Sequence, residues 1–490
     1  MLVRHSACRF STPSSWTSRL SPATTTIMPL RAKVTNRAFT ASATNMEGVS
    51  KGAPTPAQDD VLFSSLYGVR LIELNRPEKL NALNWSMVNK ITPRLQEYKK
   101  SQLANVIMVA GAGQKAMCAG GDVASLAEQN QTREDGPKRS SEFFAEEYKL
   151  DHLIATYTKP FISVMDGITM GGGVGLSAHA PFRIATERTV FAMPETNIGF
   201  FPDVGASFFL PRLDGELGTY LALTSERLNG PQVLFAGIAT HYLDSSVLGN
   251  LTQRLSELVF QDHIKLPERL DLVNRTIAEF STGLPVSTEV QLGGSKREAI
   301  DRCFRHNTVE GIIQALEQEN TPWAKRTLET LAQRSPTSLK VALRQMRVGK
   351  NWSIAEAFQR EAHIASQFMR HPDFNEGVGA LLVDKRAPTW QPASLEEVTT
   401  DMVDRFFTLP EGESRLELPS EGDYNEYPHH YGLPTEAAIR IFVRGASSAK
   451  DDPIEHFVGL TGGKPGVREK VHEVLKRKAT KSRHGVWLWK

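Results

Sequence analysis

Cysteine is scarce in this chain of 490 residues, which has three, Cys8, Cys118 and Cys303. So few, so widely spaced, exclude a disulfide framework and a four-cysteine zinc site, and they fit a reducing compartment. No uninterrupted apolar run of about 18 residues occurs, so no helical membrane span is expected. Net charge is nearly absent as well: 57 Lys plus Arg stand against 55 Asp plus Glu, for +2 overall. That balance excludes a polyanion-binding surface over the whole chain and leaves only local patches. The sharpest absence is of acid at the N-terminus. Residues 1–46 contain no Asp or Glu, yet carry Arg4, Arg9, Arg19, Arg31, Lys33 and Arg37 among many Ser, Thr and Ala.

An acid-free, Arg- and Ser-rich leader has the composition of a transit peptide. Its end, RAFTASATNM from Arg37 to Met46, resembles a two-step matrix processing site, with an arginine before a first cut and then an aromatic-led octapeptide. The expectation is a mature chain that starts near Glu47 and works in the mitochondrial matrix.

What remains is 40% hydrophobic overall, enough for a large core and for two or three domains of ordinary size. VLFSSLYGVRLIELNRP, from Val61 to Pro77, reads as a hairpin broken at Tyr67 and Gly68. Leu83, Met87, Ile91 and Leu95 recur at four-residue steps and predict an amphipathic helix to about Lys100. Strands are predicted at Val106–Ala110, Phe161–Met165 and Phe182–Ala185, with a polar helix around residues 140–157. Strands alternating with helices make this an α/β layer over residues 60–215. Beyond about residue 215 the periodic segments Arg326–Arg334, Ser338–Met346 and Ile354–Met369 predict a helical region, 216–408, packed against it. Residues 409–490 read as a Pro-, Gly- and Glu-rich linker and a basic, helix-like tail closed by Trp487 and Trp489.

GITMGGGVGLSAH, residues 167–179, places three consecutive glycines between an apolar run and a helix. Alone, it fits either a dinucleotide fingerprint or a backbone amide aimed at charge developing on a carbonyl oxygen. A second glycine loop, KAMCAGGDV from Lys115 to Val123, also follows a strand and leads into a helix. Two amides from two loops are what is needed to grip one oxygen from two directions, whereas a dinucleotide fold has no need of the second. FAMPETNIGFFPDVG then sets Glu195 and Asp203 among apolar residues, surroundings that raise carboxylic pKa values and suit proton transfer. Cys118 has no recognisable histidine partner and reads as a small buried filler. The adjacent His429 and His430 face differing sides of most backbones, so no metal site is expected.

In order and spacing, LNRPEKLNAL, CAGGD, EEY, GITMGGGVGLS (preceded by Asp166 where the pattern has histidine), FAMPETNIGFFPDVG and LPRL resemble the crotonase, or enoyl-CoA hydratase/isomerase, superfamily over about residues 60–408. The nearest pattern is that of its mitochondrial 3-hydroxyacyl-CoA hydrolases. The resemblance implies an α/β crotonase (ClpP-like) spiral of ββα units with a helical C-terminal region, often a homo-oligomer. It implies an acyl-CoA substrate and no cofactor, the CoA being part of that substrate. By position it makes Gly121 and Gly172 the amides that hold the thioester oxygen, Glu195 the nucleophile or base, Asp203 the holder of a 3-hydroxyl, and Glu147 another substrate contact. CoA would run past Asp122, with Lys79 near a phosphate. The second hydratase glutamate is replaced by Gly175, which points to hydrolysis rather than hydration. Fungal relatives of these hydrolases are small-subunit components of the mitochondrial ribosome. The last 27 residues, with nine Lys or Arg against Glu469 and Glu473, would suit ribosomal RNA.

Overall fold

Between residues 106 and 192, consecutive strands of this chain go to two different sheets. The computed structural model describes residues 59–490 apart from 262, 287, 410, 413 and 447–450. The leader 1–46 and its cleavage site lie outside the described residues. The hairpin forms as predicted from β1 (Val61–Leu66) and β2 (Val69–Leu74), paired antiparallel from Val61↔Leu74 to Leu66↔Val69. Helix α1 (Trp85–Lys100) follows, capped by the Asn84 side chain. Strand β3 (Val106–Gly111) then adds parallel to β2, but β4 (Ala116–Cys118) leaves for a second sheet, followed by α2 (Val123–Thr132) and α3 (Gly136–Ala155). The next turns repeat the step: β5 (Phe161–Met165), β6 (Ile168–Met170) and α4 (Gly172–Ala178), then β7 (Phe182–Ala185) and β8 (Val190–Ala192). With the short β9 (Leu228–Asn229) and β10 (His241–Tyr242), the sheets run β1-β2-β3-β5-β7-β10 and β4-β6-β8-β9. This is the expected spiral of ββα turns.

The unbroken apolar runs VIMVAG and FISVM follow from burial on both faces of a parallel sheet. Ile107 and Val109 enter the main core, while Val106 and Met108 face a second cluster with Leu251, Leu255, Leu270 and Val273. Beyond residue 215 helices dominate, including Pro336–Gly349 and Ile354–Arg370. The latter packs along α3.

Residues 409–490 behave differently from a linker with a free tail. Tyr424 and Tyr427 pack edge-on against Phe208, with ring centroids 5.5 and 5.1 Å away. Three helices follow, Glu436–Gly445, Pro453–Leu460 and Val467–Lys478, then the hairpin β11 (Ala479–Lys481) and β12 (Trp487–Trp489). Val467, Val471, Val474 and Leu475 are fully buried in the main core. Of the nine cations in the last 27 residues, Lys470 and Arg477 are buried in ion pairs, Lys470 Nζ at 2.7 Å from Asp214 and Arg477 at 2.9 Å from both Glu436 and Glu473. The charge count had concealed an i, i+4, i+7 apolar stripe. Among the described residues no helix is long and apolar enough to cross a membrane.

Candidate active site

Three neighbouring parallel strands of the small sheet, β4, β6 and β8, end at one edge, and each delivers one element of the site. β4 runs into Gly120 and Gly121, β6 into Gly171 and Gly172, and β8 into Pro194 and the 3-10 turn Glu195–Ile198. Adjacent strands lie about 4.8 Å apart, so three segments distant in sequence meet at one edge of the sheet.

The amide directions follow from the backbone. Gly121 forms a parallel bridge with Leu83, in which Leu83 donates to the Gly120 carbonyl at 2.8 Å and Asp122 donates to the Leu83 carbonyl at 2.7 Å. In that pattern the Gly121 N–H points away from Leu83. Gly172 opens α4, where the first amides have no intrahelical acceptor. The preceding turn needs Gly171, at φ 46° and ψ −123°, a conformation costly for any residue with a Cβ. The two glycine turns touch: a Cβ on Gly120 would stand 3.9 Å from the Gly172 nitrogen.

Acids crowd this pair of turns. A Cβ on Gly171 would lie 3.2 Å from Glu195 Oε1, and one on Gly172 would lie 2.2 Å from Glu147 Oε1. Glu147 and Asp151 lie one turn apart on the core face of α3, with Phe143, Phe144 and Tyr148. Asp203 accepts a hydrogen bond from the Tyr148 hydroxyl at 2.8 Å. Glu147, Asp151, Glu195 and Asp203 are all buried, and among the described residues none of the four forms an ion pair with a cation. Four of their oxygens, Glu147 Oε1, Asp151 Oδ1 and Oδ2, and Glu195 Oε2, have no hydrogen-bond partner.

Burial, reinforced by the Asp203 charge, pushes Glu147 and Glu195 well above the ordinary carboxylate range. Burial, then Glu147, does the same to Asp151. Asp203 rises to about 7 through burial, against the opposing Tyr148 hydrogen bond. Behind them Glu361 accepts from the amides of Gly205 (2.6 Å) and Ser207 (2.9 Å) at the start of α5 (Ala206–Phe209). Burial still lifts it to about 8.

These raised values have a thermodynamic sign. An acid that titrates near 7 or 8 when folded and near 4 when unfolded binds more protons in the native state over that interval. Its contribution to stability is complete below about pH 4 and is lost as pH rises through 7 to 8. Glu361→Gln is therefore expected to flatten the fall in melting temperature between pH 5 and 8, read from thermal unfolding at several pH values.

The structure brings together Gly121, Gly172, Glu147, Glu195 and Asp203. It places the other two candidates further out. Asp122 is paired with Arg76 at 2.8 Å, and Lys79 is exposed on the 3-10 turn Pro77–Lys79. Cys118 is fully buried, its thiol pushed up to about 12 by burial. Sequence reasoning missed Tyr148, Asp151, Glu361 and Arg76. Asp151 was recoverable, since it stands four residues after Glu147 on the same apolar face. It also corrects the reading of Gly175: a Cβ there would come 2.5 Å from Asp151 Oδ2. A carboxyl from another helix fills the space beside that glycine, so Gly175 does not leave the region without a second acid.

Two glycine substitutions separate the roles of space and backbone. Gly172→Ala drives its methyl into the Glu147 carboxyl, the movable end of a side chain, so the variant is expected to fold but to lose about 10²-fold in rate as the oxygen-binding geometry shifts. Gly121→Ala meets nothing nearer than Phe143 Cε1 at 3.6 Å and should stay within a few-fold of the parent. Steady-state kinetics on both variants checks the pair.

Comparison with known proteins agrees with this geometry. Residues 69–407 match the family model described as enoyl-CoA hydratase/isomerase. The chain is 51% identical to the small ribosomal subunit protein mS47 of Neurospora crassa, over 99% of this chain and 98% of that one. It is 44% identical to the mitochondrial 3-hydroxyisobutyryl-CoA hydrolase of Gallus gallus, over 74% of this chain and 92% of that one. The crystal structure of a carnitinyl-CoA dehydratase from Mycobacterium thermoresistibile superposes with a TM-score of 0.66 at 33% identity, covering 74% of this chain and 100% of that one. With its ββα spiral, paired glycine turns and family match from residue 69 to 407, this chain belongs to the enoyl-CoA hydratase/isomerase family.

Proposed function

We propose that this chain hydrolyses 3-hydroxyisobutyryl-CoA to 3-hydroxyisobutyrate and CoA in the mitochondrial matrix, a step of valine breakdown. The observation that carries the reading is the pair of buried carboxyl groups of Glu147 and Glu195, each with an unpartnered oxygen, beside two glycine turns. The amides serve a carbonyl oxygen, an acceptor. The carboxyl oxygens call for donors, and a water and an acyl hydroxyl supply them. The similarity to the hydrolase of Gallus gallus supports the choice of acyl group.

In the mechanism, the Gly121 and Gly172 amides hold the thioester oxygen as charge develops on it, a contribution of about 10²- to 10³-fold per donor. Glu195, in its ionised form, either attacks the carbonyl carbon to give an anhydride that water opens, or takes a proton from water that attacks directly. In both routes a C–O bond to water oxygen forms, the C–S bond breaks, and CoA leaves as the thiol. Asp203, fixed by Tyr148, orients Glu195 and borders the acyl hydroxyl. Glu147 contacts the acyl group. The Arg76–Asp122 pair and Lys79 border the CoA path.

Incubation with methacrylyl-CoA separates hydrolysis from hydration. Loss of the unsaturated thioester absorbance without thiol release would mark a hydratase, and thiol release from the hydroxylated ester alone supports the hydrolase.

A second reading is favoured by the near end-to-end similarity to mS47: the chain serves in the small subunit of the mitochondrial ribosome, with or without turnover. Of the exposed cations in the tail, Arg468 pairs with Glu455 and Lys490 donates to the Arg477 carbonyl, while Lys476, Lys481 and Arg483 are exposed as well, with Lys481 4.8 Å over the Trp487 ring, and are the ones offered to RNA. Deleting residues 464–490 would remove buried core, so the discriminating variant is the triple neutralisation of these three to Gln. Salt-sensitive loss of cosedimentation with the small subunit is expected if they contact RNA, and unchanged cosedimentation would argue against that contact.

A further inference from the structure

Asp151 has no place in the mechanism above, yet it is fully buried and neither of its carboxyl oxygens has a partner. Water-excluded polar groups are almost always hydrogen-bonded, and an unmet one costs several kcal/mol. Such a group marks a position where something else belongs. The carboxyl lies against the backbone of α4 at Gly175, where any larger residue would collide with it. One turn earlier on the same helix, Glu147 Oε1 is likewise unpartnered and lies against Gly172. Residues four apart on a helix have Cβ atoms about 5 to 6 Å from each other, room for one hydroxyl oxygen between two carboxyl groups.

Two carboxyl groups so placed cannot both be ionised in an apolar setting. Burial, then the Glu147 charge, raises Asp151, and burial, then Asp203, raises Glu147, so the pair shares at least one proton. A neutral acid offers an O–H donor, and a carboxylate beside it only accepts. The partner that satisfies both must accept one hydrogen bond and donate another. An alcohol does this and an alkyl chain does not. Asp203 Oδ2 is engaged by Tyr148, so Asp203 borders this hydroxyl while Asp151 and Glu147 bind it.

We infer that Asp151 is a specificity-determining residue that donates a hydrogen bond to the hydroxyl of a 3-hydroxyacyl thioester, while that hydroxyl donates to Glu147. This rests on the proposed function and narrows its substrate class to acyl groups that carry a hydroxyl.

The test uses non-hydrolysable ketone analogues of two CoA esters, with CH2 in place of sulfur, one bearing the 3-hydroxyisobutyryl group and one the isobutyryl group. Calorimetric titration of the full mature chain is expected to show at least tenfold tighter binding of the hydroxylated analogue, as sites built around a substrate hydroxyl discriminate. Asp151→Leu and the smaller Asp151→Ala should bring the ratio of dissociation constants towards one, leaving the isobutyryl analogue within a few-fold of the parent. Asp151→Asn, which keeps an N–H donor, should retain most of the preference. Replacing an unpartnered buried acid by an apolar group is neutral or stabilising, so these variants are expected to fold with an unchanged or higher melting temperature. Equal weakening of both analogues by Asp151→Leu, or an unchanged ratio, overturns the inference and leaves the hydrolase reading standing. A folded parent that binds neither analogue overturns both.

Discussion

Glu195→Gln is expected to lower kcat for CoA release by about 10³-fold while moving KM by no more than a few-fold. Glutamine keeps the size and planarity of the side chain in the 3-10 turn Glu195–Ile198, so the turn and the neighbouring Gly171 contact should persist. What it removes is the ionised carboxylate, which both the anhydride and the direct-water routes require. Since each tenfold loss of rate is about 1.4 kcal/mol of barrier, the expected change is about 4 kcal/mol.

A pH signature accompanies it. Glu195 is pushed upward by burial and then by Asp203, and the working form is the ionised one. Parental turnover should therefore rise with pH along a limb above the ordinary carboxylate range, and this rise should vanish in the Gln variant. A parental rate independent of pH between 5 and 8 would contradict an ionising carboxylate in this setting.

Arg477→Met should carry the largest stability cost outside the site, about 3 to 5 kcal/mol. The Arg477 side chain is 2% exposed and lies between Glu436 and Glu473, both mostly buried, with Asp301 at 3.7 Å. Removing the cation takes the ion pair from Glu473 and leaves Glu436 to the half-buried Lys478 at 3.6 Å, a cation it shares with Asp301. The loss should appear as a lower urea midpoint with an unchanged slope. A change below about 0.5 kcal/mol, the size of an ordinary surface substitution, would mean that the C-terminal helices are held by their apolar stripe alone.

The half of this fold that holds the candidate site was legible because its sequence signals are local. Strand β5 lies where the apolar run Phe161–Met165 placed it, and the glycine turns stand directly after strands, where close approach demands them. Glu195 and Asp203 announced themselves as acids among aromatic and aliphatic neighbours. Asp151 did not, because EEYKLDHLI reads as a solvated face until Phe143, Phe144 and Tyr148 fix which side of α3 is buried. Glu361 lay hidden for a different reason: its partners, the amides of Gly205 and Ser207, are over 150 residues away and belong to no local pattern. The C-terminal extension misled through composition. Net charge counts Lys470 and Arg477 as surface, whereas tertiary pairing with Asp214, Glu436 and Glu473 takes them inside.

The central claim is that the buried acids and paired amides form a working thioesterase, and release of free thiol from 3-hydroxyisobutyryl-CoA by the purified chain beginning at Glu47 tests it most directly. The account predicts steady, multiple-turnover release that Glu195→Gln lowers by about 10³-fold. A folded parent that releases no thiol from this ester, nor from 3-hydroxypropionyl-CoA, would contradict it.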